Sequence, residues 1–93
     1  MKQDMIIVPS RRIAARIVQG QALILDPATD ALQRLNEVGS FIWARIAERS
    51  HTAASIQVAL VAEFEVGEAQ AASDLSSFLE KLSKGDLIAY GSD

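Results

Sequence analysis

The stretch that decides the fold is residues 31–46, ALQRLNEVGSFIWARI, because the periodicity of its apolar side chains changes within it. Residues 31–35 are a short run that follows a turn, which is typical of a strand. Asn36 is a favourable helix N-cap, and Glu37 is a favourable first-turn residue. From there the spacing is helical, and one face holds Val38, Phe41, Ile42, Arg45 and Ile46, with Trp43 at its edge. A strand is therefore expected to lead directly into a helix.

Two short aliphatic runs precede this stretch and predict a β-hairpin. Residues 13–18 end at Gln19-Gly20, and residues 22–25 follow at once, which is the pattern of two strands joined by a tight turn. The segment 26–30, DPATD, predicts a second turn, because proline fixes φ and aspartate side chains accept hydrogen bonds from nearby amides. Three strands are therefore expected before the first helix.

Two more helices are expected after it. Thr52 can cap a helix in which Ile56, Leu60 and Phe64 recur at every fourth residue. A third helix, over about residues 68–84, ends before Gly85, which suits the left-handed position that follows a helix. Its apolar face consists of Ala71, Leu75, Phe78, Leu79 and Leu82. The sequence thus predicts an α+β fold like a winged helix-turn-helix, a three-stranded antiparallel sheet followed by three helices.

Length and composition restrict the class of protein. With 93 residues, 49% of them hydrophobic and 23% charged, the chain is expected to form one globular domain over residues 1–93, with its core at about 13–88. The chain has no cysteine and a single histidine, His51, so a zinc-thiolate site and a Ser-His-Asp relay are excluded. His51 lies between two predicted helices, where a solvated or capping imidazole is expected. We expect no cofactor, no metal and no enzyme activity.

The charge is unevenly distributed along the chain. The net charge is −3, and residues 51–93 hold two basic and seven acidic side chains, against seven and five in residues 1–50. A helix that reads DNA must neutralise phosphates, so the acidic second and third helices disfavour nucleic acid as a partner. DNA binding stays as the alternative function, on a basic sheet face formed by Arg11, Arg12, Arg16 and Arg34. The chain has neither an apolar run of bilayer length nor a secretion signal, which predicts a cytoplasmic protein without a membrane partner.

A strip of small residues lies beside the apolar face of the predicted third helix. Its members are Ala69, Ala72, Ser76 and Ser83. Close packing against a neighbouring element explains such a strip, and so does an open groove. On periodicity alone, close packing is the favoured explanation and an open groove is the alternative.

Two motifs in this order resemble the PqqD family over about residues 13–88. They are Leu35-Asn36-x-x-Gly39-x-x-Ile42-Trp43 and the later block Asp74-Leu75-x-x-Phe78-Leu79-x-x-Leu82. The resemblance implies a non-catalytic recognition element of pathways that modify ribosomally made peptides. Such a domain binds the leader of a precursor peptide and presents the precursor to a modifying enzyme, often a radical SAM maturase, as in pyrroloquinoline quinone (PQQ) biosynthesis.

The resemblance also implies a binding mode. The leader is expected to add a strand to the third predicted strand and to place side chains in a groove against the third helix. The residues that this assigns to the site are Ala31, Leu32, Gln33 and Arg34 on the strand, and Ala72, Leu75, Ser76 and Leu79 on the helix wall. Many relatives have aromatic residues where this chain has Leu32-Gln33-Arg34. The pathway, PQQ or another modified peptide, stays open, and so does the oligomeric state, with a homodimer among the alternatives.

Overall fold

The computed structural model describes residues 4–91. Along them the elements are β1 (Ile7–Pro9), β2 (Ala14–Val18), β3 (Gln21–Asp26), β4 (Ala31–Arg34), α1 (Glu37–Ala47), α2 (Ala53–Phe64), α3 (Glu68–Lys84) and β5 (Ile88–Tyr90). The predicted architecture is confirmed, because a three-stranded antiparallel sheet precedes three helices. A second, two-stranded sheet of β1 and β5 is added to it.

The three-stranded sheet is a meander in the order β2-β3-β4. Gln19 and Gly20, between β2 and β3, both have positive φ angles, 53° and 82°, as a two-residue hairpin turn with the right twist requires. In the second turn, the Asp26 carboxylate accepts a hydrogen bond from the backbone N–H of Ala28 at 3.0 Å. Both predicted turns are confirmed, and they leave β4 at an edge of the sheet.

The strands β1 and β5 were not predicted from the sequence. They pair antiparallel, with Ile7 opposite Tyr90 and Pro9 opposite Ile88. Ile7 is completely buried, and β1 also packs on α1. Three-residue strands are too short to show a periodicity, so this pairing becomes visible only in the folded chain. The core therefore begins before residue 13.

The first helix begins as predicted and buries a slightly different face. The Asn36 side chain accepts a hydrogen bond from the N–H of Gly39 at 2.8 Å, which confirms the N-cap. Ile42, Trp43 and Ile46 are at most 1% exposed. Trp43 is therefore central to the buried face rather than at its edge, because β3 and β1 both pack against α1.

The other two helices have the predicted starts, and α3 has the predicted length. Thr52 caps α2 in a reciprocal pair of hydrogen bonds with Ser55. The expected left-handed conformation of Gly85 is wrong, since its φ is −83° and Asp86 adopts φ 58° instead. Gly85 is the C-cap, the chain reverses at Asp86, and the N–H of Leu87 then donates to the carbonyl of Leu82 at 2.9 Å.

The helices close one continuous core over the inner face of the sheet. α2 packs on α3, and α1 packs on β3. The core side chains include Ile24, Ile42, Ile56, Leu75 and Leu87. Within residues 4–91, no helix combines the length and the apolar character that a membrane crossing needs.

Candidate functional site

The outer edge of β4 presents unpaired backbone groups. The N–H of Leu35 donates to the carbonyl of Ala22 at 3.0 Å, and these two residues continue the register of the β3–β4 pairing. Since hydrogen-bonded and non-hydrogen-bonded pairs alternate in an antiparallel ladder, Gln33 also bonds towards β3, and Leu32 and Arg34 direct their N–H and C=O groups outward. All four residues of β4 are exposed. The edge can therefore accept another strand.

Ser40 holds the end of β4 against β3 and α1. Its hydroxyl accepts the N–H of Ala22 at 2.9 Å and donates to the carbonyl of Leu35 at 3.2 Å. Ser40 is 3% exposed, so without its hydroxyl the N–H of Ala22 would be buried without a hydrogen bond. The carbonyl of Leu35 would keep only the 3.4 Å contact with Nε2 of Gln21. The sequence analysis did not identify Ser40, because a serine in the first turn of a helix has no distinguishing motif.

The two faces of the sheet differ in burial and in charge. Directly opposite residues share a face, so Gln33 lies on the inner face with Ile24, which is 1% exposed. Leu32 lies on the outer face opposite Leu25, and these side chains are 54% and 41% exposed. The eight outer-face residues of the three strands are Ala14, Arg16, Val18, Gln21, Leu23, Leu25, Leu32 and Arg34. This outer face contains two arginines and no acidic side chain.

A cavity of about 300 Å³ adjoins the end of β4. We call it the edge cavity, and its lining comprises Asn36, Val38, Gly39 and Ile42 at the start of α1, and Asp74, Ser77, Phe78 and Lys81 on α3. Gly39 permits the close approach of α3, since a Cβ atom there would lie 3.2 Å from Cε1 of Phe78. The cavity thus has apolar walls and two opposite charges. Its lining includes no residue of β4 itself, and it begins at Asn36, two residues after that strand.

A larger cavity of about 510 Å³ lies between α2 and α3. This interhelical cavity is lined by Ala53, Ala54, Gln57, Ala72, Leu75, Ser76, Leu79, Glu80, Ser83 and Tyr90. It brings the four predicted wall residues together, and most of the small strip borders an open space. Its lining includes no residue of β2, β3 or β4. The predicted strand edge and the predicted helix wall therefore do not meet in one cavity, and a ligand contact of the wall stays a prediction.

Arg12 connects the sheet to the end of α3. Its guanidinium contacts the Asp26 carboxylate at 2.6 Å and the Asp86 carboxylate at 3.0 Å, and it donates to the carbonyl of Gly85. The hydrogen bond from Arg12 lowers the pKa of Asp26, and the same bond raises the pKa of Arg12. Arg12 is therefore engaged in this contact and does not extend a basic sheet face with Arg16 and Arg34.

His51 is engaged in a local contact at the turn between α1 and α2. Its Nε2 lies 2.5 Å from a carboxylate oxygen of Glu48, and the hydrogen bond from His51 lowers the pKa of Glu48. Across residues 4–91, no three His, Asp or Glu side chains are grouped so that they could hold a metal ion.

Sequence comparison confirms the resemblance to the PqqD family. Residues 21–88 match that family, which is described as coenzyme PQQ synthesis protein D. The chain belongs to the PqqD family. It is accordingly a non-catalytic domain. No curated protein matches it.

Two solved structures share the PqqD-family fold of this chain. One is TbiB1 in complex with the TbiA(beta) leader peptide, with 26% identity, a TM-score of 0.81, and coverage of 92% of this chain and 99% of that one. Another is lasso peptide synthetase B1 complexed with a leader peptide, with 19% identity, a TM-score of 0.78, and coverage of 89% and 96%. The second similarity concerns the fold alone.

Proposed function

We propose that this PqqD-family domain binds the leader of a ribosomally made precursor peptide as an additional strand on the free edge of β4. The observation that carries the proposal is the outward-facing backbone of Leu32 and Arg34 at the free edge of the sheet. The leader peptide bound to TbiB1, a protein of the same fold, supports it.

The free energy of binding requires both backbone hydrogen bonds and buried apolar side chains. Leu32 and Arg34 each offer one N–H and one C=O group, which gives four hydrogen bonds at a net value of about 0.5–1.5 kcal/mol each. Ordering a flexible peptide costs about 2–5 kcal/mol, so backbone pairing alone gives weak binding. An apolar side chain that becomes buried adds about 1.5–3 kcal/mol. At least two such side chains are therefore needed, and the micromolar range, which corresponds to about −8 kcal/mol, requires hydrogen bonds and burial near the upper end of these values.

The edge cavity is the nearer receptor for these side chains. Alternate residues of an added strand point to the inner face of the sheet, the face of Gln33. Asn36 and Val38, which line the edge cavity, follow the end of β4 by two and four residues. Val38 and Phe78, which are both half-buried, provide the apolar contacts. The predicted wall of Ala72, Leu75, Ser76 and Leu79 lies on the other flank of α3, and a leader seated in the edge cavity does not contact it.

The domain would present the bound precursor to a modifying enzyme. In a PQQ pathway, this enzyme would be a radical SAM maturase, and the family description favours that pathway. The domain itself contributes recognition and needs no cofactor for it. A cytoplasmic location is consistent with a protein that binds newly made peptides and has no cysteine.

The test is a calorimetric titration of the purified domain with the leader segment of the precursor peptide encoded beside its gene. We expect a dissociation constant in the micromolar range, about 1–10 µM. NMR signals of Leu32, Arg34 and Phe78 should shift on binding, whereas those of Val58, an exposed residue of α2, should not. Duplex DNA serves as the control ligand, and tight, salt-dependent DNA binding without leader binding would overturn the proposal in favour of a DNA-binding domain.

A further inference from the structure

The outer face of the sheet carries an unbalanced positive charge at the proposed binding edge. Arg34 lies opposite Leu23, and Leu23 lies opposite Arg16, so the two arginines flank a leucine in one row across the sheet. The neighbouring row contains Leu32, Leu25 and Ala14. In the part of the chain that the structure describes, Arg34 has no ion pair, whereas the nearby Arg12 has two.

An added strand would place its own side chains directly beside these rows. Leu32 and Arg34 turn their backbone groups to the free edge. If the added strand is antiparallel to β4, each of them forms a hydrogen-bonded pair with one residue of that strand. The residue opposite Arg34 shares the outer face with it, and so does the residue opposite Leu32, two positions away. The residue between them faces inward.

We infer that Arg34 and Leu32 determine which leader is recognised, by selecting an acidic residue opposite Arg34 and an aliphatic residue two positions from it. This inference rests on the proposed strand addition. Opposite charges across a pair of strands attract and like charges repel, so a basic leader residue at that position is rejected. Acidic residues are favoured because the outer face supplies no carboxylate of its own to Arg34. The inward residue is apolar, since it faces the edge cavity.

The test exchanges the charges across the proposed pair. A fluorescein-labelled leader of the neighbouring precursor is made in its natural form and as a series in which each Asp or Glu is replaced singly by Lys. Binding is measured by fluorescence anisotropy with the unchanged domain, with Arg34→Glu and with Arg16→Glu. Arg16→Glu is the matched control, because it makes the same charge change in the same row at the far edge of the sheet.

We expect Arg34→Glu to weaken binding of the natural leader about fivefold and Arg16→Glu to change it by less than about twofold. One Lys-substituted leader should bind the unchanged domain about fivefold more weakly and should regain the lost affinity with Arg34→Glu. That lysine should lie two positions from an aliphatic residue. Equal effects of the two glutamate variants, a leader without an acidic residue, or no recovery with any substituted leader would overturn the inference. If the unchanged domain binds no leader, it is the proposed function that fails.

Discussion

At the residue scale, a single hydrogen bond determines which atoms of β4 are available to a ligand. The bond from Leu35 to Ala22 sets the alternation along the strand, so that Leu32 and Arg34 face outward and Gln33 faces β3. Ser40 supports this arrangement by bridging the same two residues. The direction of each N–H group is therefore a property of the register and not of the residue type.

Proline substitutions test this alternation, because proline removes one backbone donor. Arg34→Pro should keep the fold and weaken leader binding at least about tenfold, since it removes an outward donor. Gln33→Pro should lower the free energy of unfolding by about 3 kcal/mol, since it removes a bond to β3. The measurements are thermal unfolding and calorimetric titration of the leader.

Arg34→Ala is the matched control for the first substitution, because it removes the same side chain and keeps the N–H group. If Arg34→Pro and Arg34→Ala bind the leader equally, the leader does not use this backbone donor. A Gln33→Pro variant as stable as the unchanged domain would contradict the deduced direction of the bonds.

At the scale of the element, α3 separates two cavities along its length. Asp74, Phe78 and Lys81 recur at helical spacing on the flank of the edge cavity, and Ala72 and Ser76 lie on the flank of the interhelical cavity. The apolar stripe between these flanks holds α3 in the core. One helix thus offers two different surfaces to a ligand.

Two neighbouring serines distinguish these surfaces. Ser77 lines the edge cavity and Ser76 lines the interhelical cavity, and both are exposed. We expect Ser77→Trp to weaken leader binding at least about tenfold, because the indole fills the cavity that receives an apolar leader side chain. Ser76→Trp should change the affinity by less than about twofold.

Calorimetric titration of both variants, with circular dichroism to verify the fold, checks this expectation. A loss of affinity in Ser76→Trp alone would show that the leader enters the interhelical cavity. It would then support the wall of Ala72, Leu75, Ser76 and Leu79 that the resemblance implied.

At the scale of the whole molecule, Arg12 joins the three-stranded sheet to the carboxyl end of α3. Asp26 ends β3 next to the turn that leads into β4, and Asp86 and Gly85 lie at the end of α3. Arg12 contacts all three, so it fixes the sheet relative to the helix. Its positive charge also lies at the carboxyl end of α3, where the helix dipole favours a cation.

The stability of the molecule should depend on pH through this contact. Arg12 lowers the pKa of Asp26 below its ordinary value of about 3.9, so the contact stabilises the folded state above that pH. The contribution is lost as the pH falls towards the folded-state pKa, because protonation removes the charge that Arg12 contacts. Asp26→Asn should therefore lower the melting temperature at about pH 7 and have a smaller effect near pH 3.

Melting curves of the unchanged domain and of Asp26→Asn across this pH range test the linkage. Asp30→Asn, at an exposed position of the same turn, is the control for a general change of charge. A difference in melting temperature between Asp26→Asn and the unchanged domain that stays constant with pH would contradict the role of the ion pair.

The sequence by itself determined the features that depend on neighbouring residues. The helix caps at Asn36 and Thr52, the turn at Gln19-Gly20 and the change from strand to helix after Leu35 all follow from the preferences of short segments. The motif around Gly39 and Trp43 added the family. These parts of the fold were predicted correctly because their physical causes lie within a few residues.

The tertiary structure decided which distant segments meet. β1 and β5 pair from opposite ends of the described chain, and the flank of α3 that packs on the start of α1 is that of Phe78 rather than that of Ser76. A helical periodicity shows which residues share a face, but it does not show which neighbour covers that face. That choice depends on how side chains such as Trp43 and Phe78 pack and on the space that Gly39 leaves for Phe78, because long-range contacts form only when the whole core closes.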